Sequence, residues 1–372
     1  MLSLCPDINM SDCSSGTVLN ESTMSYTGMQ SDVLISGQSD NITVDCPLTN
    51  HNIGTTFAGS IWIQYQNQTH SAYNQSEQIA SIKGSPQRVY NLNTYTIQVG
   101  IFPYSIAYDP SNDYMYVAND GSGTVDVISG TTPINTIPVG GYPDAIAYDP
   151  SNDYMYVADN SFGTGTVNVI SGTTQIASIP IGSQLQGIAY DPSNGYMYVS
   201  NDGSGTVDVI SDTTQIASIN VGNSPYSIAY DPSNGYMYVA NVGGTVDVIS
   251  GTTQIASIPI GSNAYPYGIA YDPSNGYMYV ANWQINTVSV ISGTTPINTI
   301  PVGLGPIAIA YDPSNGYMYV TDIDLRTVSV ISGTTPINTI SVGSYPDAIA
   351  YDPSNGYMYV ANQNSDAVNV IG

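Results

Sequence analysis

The residues able to do chemistry are few and unevenly placed in this 372-residue chain. All three cysteines (Cys5, Cys13, Cys46), both histidines (His51, His70) and the only lysine (Lys83) precede residue 90. From residue 94 onward the single basic side chain is Arg326. That stretch therefore lacks the parts of a Ser–His–Asp or Cys–His triad, which need a base beside the nucleophile. It has no lysine to cradle a phosphate and no His or Cys ligand for haem or copper. Carboxylate chemistry remains, with Asp144, Asp347, Asp322 and Asp324 as candidates. Acid–base work, or a calcium site through Asp322-x-Asp324, would need them to converge. Their positions show no convergent recurrence, so the sequence assigns no catalytic residue, no metal and no cofactor.

The three cysteines read as one disulfide pair plus a free or intermolecular thiol, in preference to zinc held through Cys46 and His51. Five Asn-x-Ser/Thr sequons, at Asn9, Asn20, Asn41, Asn67 and Asn74, also fall before residue 90. They matter only in an exported protein, where they predict glycosylation. Met1 is not followed by a basic and then apolar signal pattern, which points to a trimmed leader or a fragment.

The net charge of −25 comes from missing base. There are 28 acidic residues, of which only Glu21 and Glu77 are Glu, against Lys83, Arg88 and Arg326. Aspartates titrate near pH 4, so the chain would be almost uncharged in acid. This suits an acidic exterior, and the fold is expected to persist at pH 2–3. The absence of a basic patch excludes nucleic acid and disfavours anionic membrane surfaces. Apolar residues make up 42% of the chain, and no run suggests insertion into a membrane.

The elements that would position these groups repeat. "YDPSN" begins at Tyr108, Tyr148, Tyr190, Tyr230, Tyr271, Tyr311 and Tyr351, a period of about 40. One unit contains four strand candidates: Ser227–Asp231, Tyr236–Asn241, Thr245–Ser250 and Gln254–Ile260. They are rich in β-branched and aromatic residues and bounded by turn formers. Both faces are apolar, as in a sheet packed between two others. Four short strands per 40 residues is the pattern of a propeller blade, longer than a β-solenoid repeat. The last unit stops after its third strand, Ala367–Gly372, while a spare fourth-type strand, Thr94–Gly100, precedes the first. Pairing the two would close a ring of seven blades and leave no unfinished edge.

"YMYVAN", "TVSVIS" at Thr287–Ser292 and "PVG…P…IAYDP" at Pro301–Pro313 resemble the YVTN family of β-propeller repeats. The likeness covers about residues 93–372, and "YVTD" at Tyr319–Asp322 is its nearest copy of the name motif. The resemblance implies a seven-bladed propeller and frequent display at archaeal or bacterial surfaces, but no reaction. Seven-bladed lactonases and lyases are the enzymatic alternative, working with channel acids around a metal or with a channel histidine.

The expected organisation is all-β. Residues 1–84 form a small, glycosylated, β-sandwich-like domain and 85–93 a linker. Residues 94–372 form a seven-bladed propeller closed by an N-terminal strand. The "DPSNG" and "SGTT" turns barely vary and are explained by hairpin geometry. The second-to-third and fourth-to-first loops vary and share one face, where recognition is expected. There Trp283 and Ile285 are expected to meet Ile323, Leu325 and Arg326 of the next blade, with Tyr265, Tyr267, Phe102 and Tyr104 as further rim aromatics. Aromatics near the one arginine suit a glycan or protein partner at the cell envelope. A structural or adhesive protein outside the cell is the first reading. The lyase-like enzyme and self-assembly into a surface layer or filament are the alternatives.

Overall fold

The computed structural model describes residues 96–160 and 165–372 in full, and the backbone of Thr94, Tyr95 and five strands nearer the N-terminus. The chain divides into two compact units, Met1–Tyr90 and Asn91–Gly372. In the first, Ser25–Tyr26, Met29–Ser31 and Val44–Asp45 form a three-stranded sheet. Phe57–Gln66 pairs antiparallel with Asn74–Gly84. The cysteines, Asn9, Asn20, Asn41, Asn67 and the expected linker lie outside the described residues, as does the side chain of Asn74.

The second unit is a seven-bladed β-propeller of four-stranded antiparallel sheets. Blade 4 shows the plan: Pro225–Asp231, Tyr236–Asn241, Thr245–Ser250 and Thr253–Pro259, paired in that order. Blade 7 is built from both chain ends. Its first three strands are Pro346–Asp352, Tyr357–Asn362 and Ala367–Ile371, and its fourth is Thr94–Gln98. The register runs from Ala367 opposite Gln98 to Ile371 opposite Thr94. The expected closure is therefore the observed one.

Alternation along each strand splits its side chains between two neighbours. Tyr238 and Ala240 pack against Met278, Val280 and Ile291 of blade 5. Met237 and Val239 pack against Tyr198, Val207 and Val209 of blade 3. The same interface joins the ends of the ring, where Tyr359, Val368 and Val370 meet Met115, Val117 and Ile128. Each fully buried Met or Ile contributes about 1.5–3 kcal/mol, so the seven seams are the core.

The invariant turn does more than shape a hairpin. Asp231 Oδ1 accepts from the Ser233 amide at 2.8 Å and its hydroxyl at 2.6 Å. Asp231 Oδ2 accepts from Asn234 Nδ2 at 2.7 Å, and that amide also donates to Tyr238 Oη at 2.9 Å. The Tyr238 hydroxyl then donates to the carbonyl of Gly293, in the third-to-fourth turn of blade 5, at 3.0 Å. Equivalent bonds run from Tyr116 to Gly172, Tyr198 to Gly251 and Tyr279 to Gly333. Tyr359 completes the circuit by donating to Gly130 of blade 1 at 2.7 Å. Hairpin geometry alone does not account for the motif: "DPSNGYMY" is a latch between blades.

Candidate functional site

The variable loops share one face, and backbone hydrogen bonds weld them in pairs. Trp283 N donates to Tyr265 O at 3.1 Å, Asp120 N to Phe102 O at 2.8 Å and Gln363 N to Tyr345 O at 2.8 Å. Sequence differences therefore ride on a common backbone frame. The frame is strained where the loop enters the first strand. Phe102, Ser224, Tyr265 and Tyr345 each precede a proline and have φ of 54°, 55°, 53° and 61°. A side-chain-bearing residue resists this left-handed region.

A cavity of about 180 Å³ lies on the ring axis, lined by the first strands of all seven blades. The second residue of each strand varies around the ring: Tyr104, Asp144, Gln186, Tyr226, Tyr267, Ile307 and Asp347. All but Tyr267 line the cavity, and Tyr267 stands edge-on to Tyr226 with ring centres 4.6 Å apart. Tyr104 and Tyr226 come from opposite sides of the ring, and their hydroxyls hydrogen-bond at 2.9 Å. Two residues further along, isoleucine recurs in every blade and completes the walls, as at Ile106, Ile228 and Ile309.

Asp144 and Asp347, in blades 2 and 7, flank Tyr104 in blade 1, and each is 8% exposed. Nothing in their spacing along the chain brings these two carboxyls together; the ring makes them line one cavity. Burial pushes Asp347 up to about 7, with a smaller push from Asp120. Burial pushes Asp144 up to about 8 against the opposing hydrogen bond from Asn160, while a hydrogen bond and charge from Asp120 add to the rise. Burial also raises Asp120 above the usual carboxylate range. Tyr104, Tyr226 and Tyr267 are all raised, first by burial and then by charge that includes Asp347. They remain neutral phenols at any physiological pH.

The other expected site residues divide. Tyr104 and Tyr267 belong to the inner strands and not to the rim. The ring contacts of Trp283 among the described residues are Tyr265, stacked at 6.3 Å, and Tyr267, edge-on at 6.2 Å. Trp283 Nε1 lies against Gly305 of blade 6, where an added Cβ would come within 3.1 Å. It closes the seam between blades 5 and 6. Ile323 is buried, whereas Ile285, Leu325 and Arg326 are exposed, as are Phe102 and Tyr265. Tyr142 and Tyr345, which the sequence reading passed over, are 39% and 41% exposed beside Phe102 in blades 2 and 7.

Asp322 is not a channel residue. It is fully buried within blade 6 and accepts from the hydroxyls of Ser329 at 2.7 Å and Thr327 at 3.1 Å. Burial pushes it up to about 6 despite these bonds. Blades 1, 3 and 5 hold the same cross-strand pair in other residues: Asn119 with Asp126, Asn201 with Asp208, Asn282 with Ser289. Asp324 is exposed, and no cluster of three metal-ligating acids, His or Cys occurs among the described residues.

No family model and no curated protein matches the chain. Solved propellers share its fold. Hydrazine synthase from Kuenenia stuttgartiensis aligns with a TM-score of 0.65 at 18% identity, over 77% of this chain and 99% of that one. A streptogramin B lyase aligns at 0.66 and 15% identity, over 75% and 98%. A catalytically inactive virginiamycin B lyase from Staphylococcus aureus, with quinupristin, aligns at 0.66 and 14% identity, over 75% and 99%. At these identities the likeness concerns the fold.

Proposed function

We propose that the propeller is a recognition scaffold displayed outside the cell, whose variable face engages a glycan or protein of the envelope. One observation carries this reading. In a chain that repeats its strands and turns almost verbatim, divergence is concentrated on one face and in the axial ring beneath it. Tyr104, Asp144, Gln186, Tyr226, Ile307 and Asp347 share one cavity there. A scaffold selected only for shape has no use for four kinds of side chain at six equivalent positions. The resemblance to YVTN repeats and the five sequons support an exported, surface-layer or adhesive setting.

The test is binding of the full chain to glycan and envelope-protein arrays, repeated with Tyr226→Ala, Trp283→Ala and Arg326→Ala. Signal lost with Tyr226→Ala in a folded protein supports the axial cavity as the contact. Signal unchanged in all three refutes this face as the recognition surface.

Acid–base catalysis is the second reading, favoured by two carboxyls of raised pKa in one cavity. Among the fold neighbours, the virginiamycin B lyase variant that is catalytically inactive has a histidine replaced by alanine. Residues 94–372 contain no histidine, so that chemistry does not carry over residue by residue. Turnover of a lactone or cyclic ester that disappears in Asp144→Asn would favour the enzyme.

A further inference from the structure

We propose that the axial cavity receives an alkylammonium group on a slender stem, such as the end of a lysine side chain. This rests on the recognition reading above and names the chemistry of the group recognised.

Asp347 carries the argument. It is 8% exposed and lines the cavity, and none of its carboxylate oxygens has a hydrogen-bond partner among the described residues. A buried carboxylate without a partner is costly, and such groups are almost always paired. The propeller supplies no cation for it. Arg326 is the only basic residue from 94 onward, and it is exposed on a loop of blade 6. Every ionisable group that faces the pair is itself acidic: Asp120 and Asp159 act on Asp144, and Asp120 on Asp347. Asp202 faces Tyr267. The remaining polar lining, Ser105, Gln186 and Ser227, is neutral.

The walls have the matching chemistry. Tyr104 and Tyr226 line the cavity, and aromatic faces attract ammonium groups, most strongly where water is excluded. Their mutual hydrogen bond at 2.9 Å fixes both rings before any ligand arrives. The volume of about 180 Å³ far exceeds the roughly 10–15 Å³ that one water needs on this measure. An anion would meet Asp144 and Asp347. A neutral sugar would bury Asp347 further without a counter-charge. A cation satisfies the carboxylate and the rings together, and the net charge of −25 draws it in.

Calorimetric titration of the full chain with Nα-acetyl-lysine N-methylamide tests this, with the Nε-acetylated analogue and a neutral oligosaccharide in parallel. Binding is expected for the free amine and is expected to fall about tenfold or more on Nε-acetylation, because a charge-assisted contact is removed. Asp347→Asn, which keeps the shape, should weaken the amine to a similar degree. Affinity should rise from pH 5 to pH 8.5, because Asp347 must ionise while an amine stays charged to about pH 10. Equal binding of both lysine analogues, binding of the oligosaccharide alone, or indifference to Asp347→Asn would each overturn the proposal. Array binding that survives while the amine fails would overturn this inference and leave the recognition reading standing.

Discussion

The inter-blade latch can be isolated by removing one oxygen. Tyr238 is fully buried, and its hydroxyl accepts from Asn234 and donates to the Gly293 carbonyl of the next blade. Tyr238→Phe keeps the ring and its packing, so no cavity forms. It deletes the two hydrogen bonds of that hydroxyl, the one from Asn234 and the one to Gly293. At roughly 0.5–1.5 kcal/mol per bond, the expected loss is about 1–3 kcal/mol. For a domain of this size that is a fall in Tm of roughly 2–6 °C. The control is Tyr236→Phe, two residues earlier in the same strand, whose hydroxyl has no inter-blade bond among the described residues. Its cost should stay within about 0.5 kcal/mol. Paired thermal and denaturant unfolding measures the difference. If the two variants unfold alike, the repeated dozen residues serve only their own hairpin, and the latch is wrong. Tyr359→Phe should match Tyr238→Phe, because its bond to Gly130 crosses the seam where the chain ends meet. Alkali reports on the same groups. Tyr116, Tyr156, Tyr198 and Tyr359 are pushed up to about 12, chiefly by burial. Above pH 10 the unfolded chain loses these protons first, so stability present below pH 10 drains away as the pH climbs to about 12.

Asp347→Asn and Asp144→Asn should raise stability at pH 8 and leave it nearly unchanged at pH 4. Both carboxyls are raised in the fold, so their contribution is full below pH 4 and lost as pH rises through about 7 and about 8; Tm against pH for the three proteins gives the answer. At Tyr345, with φ of 61° before Pro346, glycine should be neutral or up to about 1 kcal/mol more stable, and valine at least about 1 kcal/mol worse than glycine, as chemical denaturation would show. Gly187→Ala should cost about 2 kcal/mol or more, since the new Cβ would press on the Tyr226 carbonyl across the inner seam. The loss should exceed that of Ala145→Ser, at the same position in blade 2, in the same unfolding assay.

Closure was legible because counting suffices: each blade announces its four strands, and the ends are each one short. The sidedness of Tyr238 and Met237 followed from the period of two. The latch was not legible, because Tyr238 and Gly293 lie 55 residues apart in sequence and the copies have nearly the same residues at both ends, Asp212 replacing the glycine in blade 3. Identity between repeats conceals which copy a side chain touches. The axial cavity was legible in part: Asp144, Asp347, Tyr104 and Tyr267 stand out in the sequence, but their spacing does not show that the second residues of the first strands meet on the ring axis. The stacking of Trp283 on Tyr265 was not legible either, because it depends on how the two loops are joined by the bond from Trp283 N to Tyr265 O.

The cross-strand pairs show how a chain almost without bases manages buried acids, and they set the cavity apart. Inside the blades a carboxylate faces an amide or a hydroxyl. Asn119 meets Asp126 and Asn201 meets Asp208, whereas blade 2 exchanges the roles, with Asn168 donating to Asp159 at 3.4 Å. Blade 6 places Asp322 against Ser329. Exchange of partners between repeats means that the chemistry of the pair is kept while either member is free to change. The cavity departs from this rule. There Asp144 has the Asp120 carboxyl beside it, and Asp347 has only the charge of Asp120 acting on it, with nothing that could neutralise it. A fold that exchanges asparagine for aspartate to keep acids paired in its blades could have placed an amide at either site, and Gln186 is that choice in blade 3. Retaining both acids costs stability at neutral pH, and the ammonium group proposed to enter the ring would offset that cost.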